Sequence, residues 1–250
     1  METLLIFLVA FFAYMHSYMG STMHNRPIIV GALVGLVLGD LRMGIILGGT
    51  LELVFLGAFP IGASNPPDIV SGTIIATSYA IKSGGEIGAA VAFAVPVATL
   101  VLLFDNFLMT VVLTEGAHIA DRYAEKGDIE GVERTMRIFG IGNKFILSLA
   151  VAVGFVAGVP MIEKVLSYIP EYITHGMDIA AGILPAIGFA MLTRMIVNKK
   201  LFPFLMIGFL LSAYLEIPVL GIALFGIAIA LYMINHQEAS VEQGGMENEF

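Results

Sequence analysis

RPIIVGALVGLVLGDLRMGIILGGTLELVFLGAFPIGASNPPD, residues 26–68, decides how this chain is read. Gly31, Gly35 and Gly39 recur every fourth residue, Gly44 and Gly48 repeat the spacing, a lone Glu52 sits in an apolar run, and the stretch closes on three prolines. Residues four apart share one face of a helix. In hydrocarbon, where water cannot drive helices together, small side chains on one face let two backbones approach closely. The glycines therefore predict a tightly packed helix pair and need not touch a ligand. Composition supplies the membrane: the 250 residues are 58% hydrophobic and 13% charged, with a mean hydropathy of +0.92, whereas a water-soluble domain carries about 25% charged residues.

Outward from this stretch the apolar runs come in two lengths. A helix needs about 20 residues to cross roughly 30 Å of hydrocarbon. Ile87–Phe104, Phe145–Ile162, Ile179–Ile196 and Ile217–Ile234 approach that length; Leu4–Met15, Pro27–Gly39, Ile69–Ile81 and Leu201–Leu215 fall short. Alternating full and half spans favour re-entrant hairpins, while any single short run could be a span lengthened by Ser, Thr or Gly. Glu2 is acidic and no Lys or Arg precedes Leu4, so the first run does not read as a removable signal.

Between Thr114 and Lys144 the composition changes. Ten charged residues precede the final Lys144, and five of the twelve basic residues lie in this connector. Ile119, Tyr123, Ile129, Val132, Met136 and Phe139 recur at near-helical intervals, which predicts surface-lying amphipathic helices broken at Gly127 and Gly131. Its lysines and arginines put the connector on the cytoplasmic side. The expected organisation is a first membrane half (1–113) with the candidate site, the connector (114–144), a second membrane half (145–235) and a disordered acidic tail (236–250). The fold class expected is all-α and polytopic, with full-span helices, short or re-entrant hairpins and an amphipathic connector.

Glu52 carries the first functional signal. Placing an ionised side chain at the centre of a membrane helix costs about 2.5–3.5 kcal/mol on insertion scales, so it requires a purpose or a partner. One explanation is structural, a bond to a helix end or pairing with Arg26 or Arg42; the other is a ligand, and we favour the second. Downstream, Pro60, Pro66, Pro67 and Gly62 prevent a continuous helix. Irregular backbone at membrane depth is tolerated only inside protein or beside a water-filled cavity. Ser64, Asn65 and Asp68 would offer such a cavity a hydroxyl, an amide and a carboxylate, a mixture suited to neutral hydroxyl-rich ligands. An ordinary turn outside the membrane is the alternative.

Other chemistries find little support. With no cysteine the chain has no disulfide, thiolate metal site or thiol nucleophile. The formal charge is −8, and no basic stripe could follow a phosphate backbone, which argues against nucleic acid. His16, His24, His118, His175 and His236 lack metal-ligand spacing, and no catalytic triad order occurs. Gly84–Gly88 lacks the Lys-Ser/Thr of a P-loop and reads as a loop. His175 and Asp178 read as a helix cap or part of a polar cluster. No catalytic residue, metal or cofactor is expected.

Three runs carry a resemblance to a known family: Arg26–Asp40 (RPIIVGALVGLVLGD), Gly48–Asp68 (GGTLELVFLGAFPIGASNPPD) and Thr174–Met191 (THGMDIAAGILPAIGFAM). They resemble the membrane IIC component of the mannose/fructose/sorbose-type bacterial phosphotransferase system, and the resemblance extends over nearly the whole chain. The third run is most similar to the N-acetylgalactosamine/galactosamine branch. The resemblance implies a multi-pass protein of the bacterial cytoplasmic (inner) membrane, a permease and not itself an enzyme. It implies a sugar of the mannose, fructose, sorbose or N-acetylgalactosamine class, a second membrane subunit, IID, and cytoplasmic IIA and IIB proteins that deliver phosphate. A homo-oligomer of the IIC–IID pair and an elevator-like movement are further implications. Carried over by position, Glu52, Asn65 and Asp68 become sugar contacts, with Gly49, Thr50 and Ser64 beside them. An ion-coupled secondary transporter, or a structural membrane partner without a ligand, are the competing readings.

Overall fold

The computed structural model describes residues 1–20, 22–58, 65–84, 87–167 and 171–246; within these, side chains are described except at 159–171, 173–175, 177–178, 180–182 and 234–246. The described residues form ten α-helices and no strand: α1 (Glu2–Tyr14), α2 (Pro27–Leu38), α3 (Leu41–Val54), α4 (Ile69–Ser83), α5 (Ile87–Leu108), α6 (Thr114–Ala124), α7 (Ile129–Ser167), α8 (Glu171–Ile196), α9 (Phe202–Leu215) and α10 (Val219–Met246). Two compact units result, Met1–Leu192 and Thr193–Phe250. The second holds α9 and α10, on which the described side chains are not buried.

In the first unit α2 and α3 form the hairpin that the glycines predict. Pro27 opens α2, where a missing N–H costs nothing. Gly39 closes it at φ +86°, in the left-handed region that glycine enters freely. Asp40 then caps α3, its Oδ1 accepting the Met43 N–H at 2.9 Å. The two glycine faces meet: a methyl at Gly31 would lie 2.6 Å from the Cα of Gly48, and one at Gly44 2.7 Å from the Cα of Gly35.

At the centre lies α4, buried without interruption from Val70 to Ala80. Its small residues permit this: a methyl at Gly72 would meet the Ala94 carbonyl at 2.8 Å and the Ala98 methyl at 3.0 Å, so α5 packs closely there. One face of α4 joins a cluster with Ile6 and Tyr14 of α1, Val30 and Val34 of α2 and Leu147 and Val151 of α7. The other joins Leu47 and Leu51 of α3 and Ala90, Val91 and Ala94 of α5.

A π-helical turn, Met109–Leu113, links α5 to α6. The segments Ile87–Ala124 and Ile129–Gly158 are long and apolar enough to cross a membrane. The other two expected spans fall on α8 and α10, with apolar described stretches at Ile183–Ile196 and Val219–Met233. In the connector the chain turns at Gly127, φ +71°. Gly131 does not break it: Oδ1 of Asp128 accepts the Gly131 N–H at 2.9 Å, which caps α7 and puts Gly131 in its first turn. The chain is helical through Met246, beyond the expected start of the tail at 236. Residues 247–250, Gly85 and Glu86, and the His175 and Asp178 side chains lie outside the described residues.

Candidate functional site

The irregular stretch ends at Asp68, which is held from three helices. Its Oδ1 caps α4 by accepting the Ser71 N–H at 2.6 Å. The same oxygen accepts the hydroxyl of Tyr14, from the end of α1, at 2.9 Å. Its backbone N–H donates to the Ala98 carbonyl of α5 at 3.1 Å. Oδ2 takes part in none of these bonds. Asn65, three residues earlier, donates from Nδ2 to Oδ1 of Asn106 at 3.1 Å and to the sulfur of Met109 at 3.6 Å, against the π-helical turn. Such turns are frequent at functional sites.

Asn65, Pro66, Pro67 and Asp68 form one wall of a cavity of about 340 Å³, within the range of small-ligand sites. Tyr14 and His16 enter from α1 and the turn that follows it, Asn25 and Arg26 from the start of α2, Asp105 from α5 and Lys144 from α7. Leu102, Ile69, Val70 and Leu147 give it an apolar floor. The Lys144 ammonium lies 5.9 Å from the centre of the Tyr14 ring, within cation–π reach. Oδ1 of Asp105 accepts from Nδ2 of Asn143 at 3.3 Å. Carboxylates and amides that accept and donate, set above apolar side chains, suit a neutral polyhydroxylated guest.

Glu52 stands one residue behind this lining. Its Oε1 accepts from Nε of Arg26 at 2.7 Å and lies 2.6 Å from Nη2, while Oε2 accepts the Ile28 N–H at 3.3 Å. It thus supplies a cap that Arg26, the N-cap residue of α2, does not provide with its own side chain. The acid orients a guanidinium that does line the cavity. Thr50 donates its hydroxyl to the Ile46 carbonyl of its own helix at 2.9 Å, and Gly49 has open space where a side chain would be; neither lines the cavity. Ser64 lies outside the described residues.

Of the residues expected from sequence, Asn65 and Asp68 are brought to the cavity and Glu52 reaches it through Arg26. Tyr14, His16, Asn25, Asp105 and Lys144 were not foreseen there. Asp105 had a usable signal, a carboxylate inside the apolar LVLLFDNFLM, which the rule that marks Glu52 marks equally. Tyr14 had none, since it meets Asp68 across 54 positions of sequence.

Residues 1–232 match the family described as "PTS system sorbose-specific iic component". The chain is similar to the sorbose-specific EIIC component of Klebsiella pneumoniae, 33% identical over 94% of this chain and 88% of that one. It is 35% identical to the fructose permease IIC component of Bacillus subtilis (strain 168), over 92% and 86%. A solved structure titled as the mannose transporter ManYZ in complex with microcin E492 superposes with a TM-score of 0.59, at 31% identity and 94% coverage of each chain. The chain belongs to the sorbose-type family of phosphotransferase-system IIC permease components, multi-pass helical proteins of the bacterial inner membrane.

Proposed function

We propose that this chain is the sugar-translocating subunit of a phosphoenolpyruvate-dependent phosphotransferase system, and that a hexose or hexosamine occupies the cavity lined by Asn65, Asp68 and Asp105. The observation that carries the site is Asp68: its Oδ1 accepts from Ser71 and Tyr14, neither of which engages Oδ2, and the residue lines a cavity together with Asn65 and apolar side chains. Glu52 acts through Arg26, while Thr50, Gly49 and Ser64 are neighbours of the sugar contacts along the same chain. Sorbose, fructose and mannose, the sugars in the relatives' names, are all hexoses, which supports the substrate class.

The two-part name ManYZ supports pairing with a second membrane subunit, IID. Cytoplasmic IIA and IIB proteins carry out phosphoryl transfer, and this chain is not phosphorylated. The IIC–IID pair forms a homo-oligomer, and the site, carried mainly on the first membrane half (1–113) with Lys144 and Leu147 added from α7, moves against a scaffold. The basic connector, 114–144, faces the cytoplasm, where IIB receives the sugar.

The test uses vesicles holding the IIC–IID pair, supplied with phosphoenolpyruvate and the soluble components. They are offered radiolabelled mannose, fructose, sorbose and N-acetylgalactosamine. Asp68→Asn keeps the size and the helix cap but removes the charge. Loss of a hydrogen bond to a charged group raises the KM of the transported sugar by about tenfold or more. Wild-type uptake of every panel sugar by Asp68→Asn and Asn65→Ala overturns the site. Uptake driven by a proton or sodium gradient without phosphoenolpyruvate overturns the coupling.

A further inference from the structure

We propose that Tyr14 is a positioning residue for sugar recognition: its hydroxyl holds the Asp68 carboxylate so that Oδ2 is presented in one direction, and this sets which hydroxyl of the sugar the site selects. The inference rests on Asp68 being a sugar contact.

A carboxylate rotates easily about its last bond, because that torsion has broad, shallow wells. The cap to Ser71 restrains that torsion only within the angular tolerance of a single hydrogen bond. A second donor on the same oxygen, from a different helix, narrows the torsion further. Tyr14 is that donor, at 2.9 Å. Its own position has little slack: the residue is 4% exposed, closes α1, and has the Lys144 ammonium over its ring. The backbone of Asp68 is fixed separately by the Ala98 carbonyl. Main chain and carboxylate plane are thus set by α1, α4 and α5 together, and the direction of Oδ2 follows from them. Binding sites that discriminate hydroxyl patterns do so because a fixed polar group is left unpaired by the wrong isomer. A carboxylate free to turn would accept several.

Tyr14→Phe keeps the ring, the packing and the cation–π contact and removes only the donor. The full complex with IID is assayed for phosphoenolpyruvate-driven uptake of mannose, fructose, sorbose and N-acetylgalactosamine, and of singly deoxygenated forms of whichever panel sugar the wild type transports. We expect Tyr14→Phe to raise KM about tenfold, with maximal rate within about twofold of wild type. The preference for the parent sugar over the deoxygenated analogue that wild type discriminates most should shrink by a similar factor. In an Asp68→Ala background, where Tyr14 has no side-chain acceptor left at position 68, the same substitution should add no further change to the residual uptake, because the hydroxyl acts through that carboxylate. Wild-type KM and preference in Tyr14→Phe, or an equal fold-loss in both backgrounds, overturns the proposal. If Asp68→Asn is itself silent, the sugar site fails and Tyr14 with it; if Asp68→Asn is impaired and Tyr14→Phe is not, only the role of Tyr14 fails.

Discussion

Substituting Gly31 by alanine tests the glycine seam that holds the site's scaffold together. The added methyl would lie 2.6 Å from the Cα of Gly48, 2.8 Å from the Gly44 carbonyl oxygen and 2.9 Å from the Gly48 nitrogen. Carbon atoms rest at about 3.5–4.0 Å, and all three neighbours are backbone, so no rotamer change relieves the clash. α3 must retreat from α2 by roughly 1 Å to restore that spacing. One turn beyond Gly48 that retreat carries Glu52 away from Arg26, stretching a 2.7 Å bond past hydrogen-bonding range. Overpacking costs about 1–3 kcal/mol, loss of a charge-assisted bond about 1.5–3, and replacing glycine in a helix returns about 1. The net loss of roughly 1.5–5 kcal/mol corresponds, for a chain of this size, to a fall in apparent Tm of the order of 3–20 °C. Circular dichroism melts of the detergent-purified chain measure it. Gly142→Ala is the reference: it is helical with nothing within 4 Å of the new methyl, so it should gain about 1 kcal/mol. A Gly31→Ala protein that melts at or above wild type refutes the close approach of α2 and α3.

Arg26 and Glu52 are 11% and 20% exposed, so removing Arg26 should leave the largely buried Glu52 carboxylate without its cation, at about 3–5 kcal/mol. In melts of Arg26→Ala, Glu52→Ala and the double variant, the double should lose far less than the sum; additive losses would exclude direct coupling. Asp128→Ala should cost about 1 kcal/mol, since it removes the cap of α7, and should leave the KM for sugar unchanged; a shift in KM would tie the connector turn to the site.

The apolar runs located the helices because hydropathy is a local property. Leu4–Met15 became Glu2–Tyr14, Pro27–Gly39 became Pro27–Leu38, and Leu201–Leu215 became Phe202–Leu215. The glycine spacing was legible for the same reason, since it fixes a face without reference to the partner. Gly131 was misread because a glycine so near a helix start is overruled by the Asp128 cap. The site was legible only where chemistry conflicts with surroundings, as at Glu52 and in the proline-rich stretch before Asp68. Lys144 opens an apolar run, and Tyr14 closes one; both are unremarkable positions until α1 and α7 pack against α4. Sequence could flag the Arg26–Glu52 pairing as an alternative but could not tell that the guanidinium would line a cavity.

The short helices and the acids have one physical origin. At 1.5 Å per residue, the 12 residues of α2 and the 15 of α4 span about 18 and 22 Å, short of the roughly 30 Å of hydrocarbon. Helices of that length end within the membrane's thickness, and a helix start leaves N–H groups that are costly in oil unless something accepts from them. Asp68 accepts at the start of α4 and Glu52 at the start of α2. Both starts open on the same cavity, through Ile69 and Val70 on one side and Arg26 on the other. At Asp68 the cap engages one oxygen, while at Glu52 the second oxygen holds Arg26, whose guanidinium reaches the cavity. A helix interrupted in the membrane therefore requires a polar group at its break, and two breaks facing each other produce a polar cavity that an uninterrupted bundle of full spans would lack.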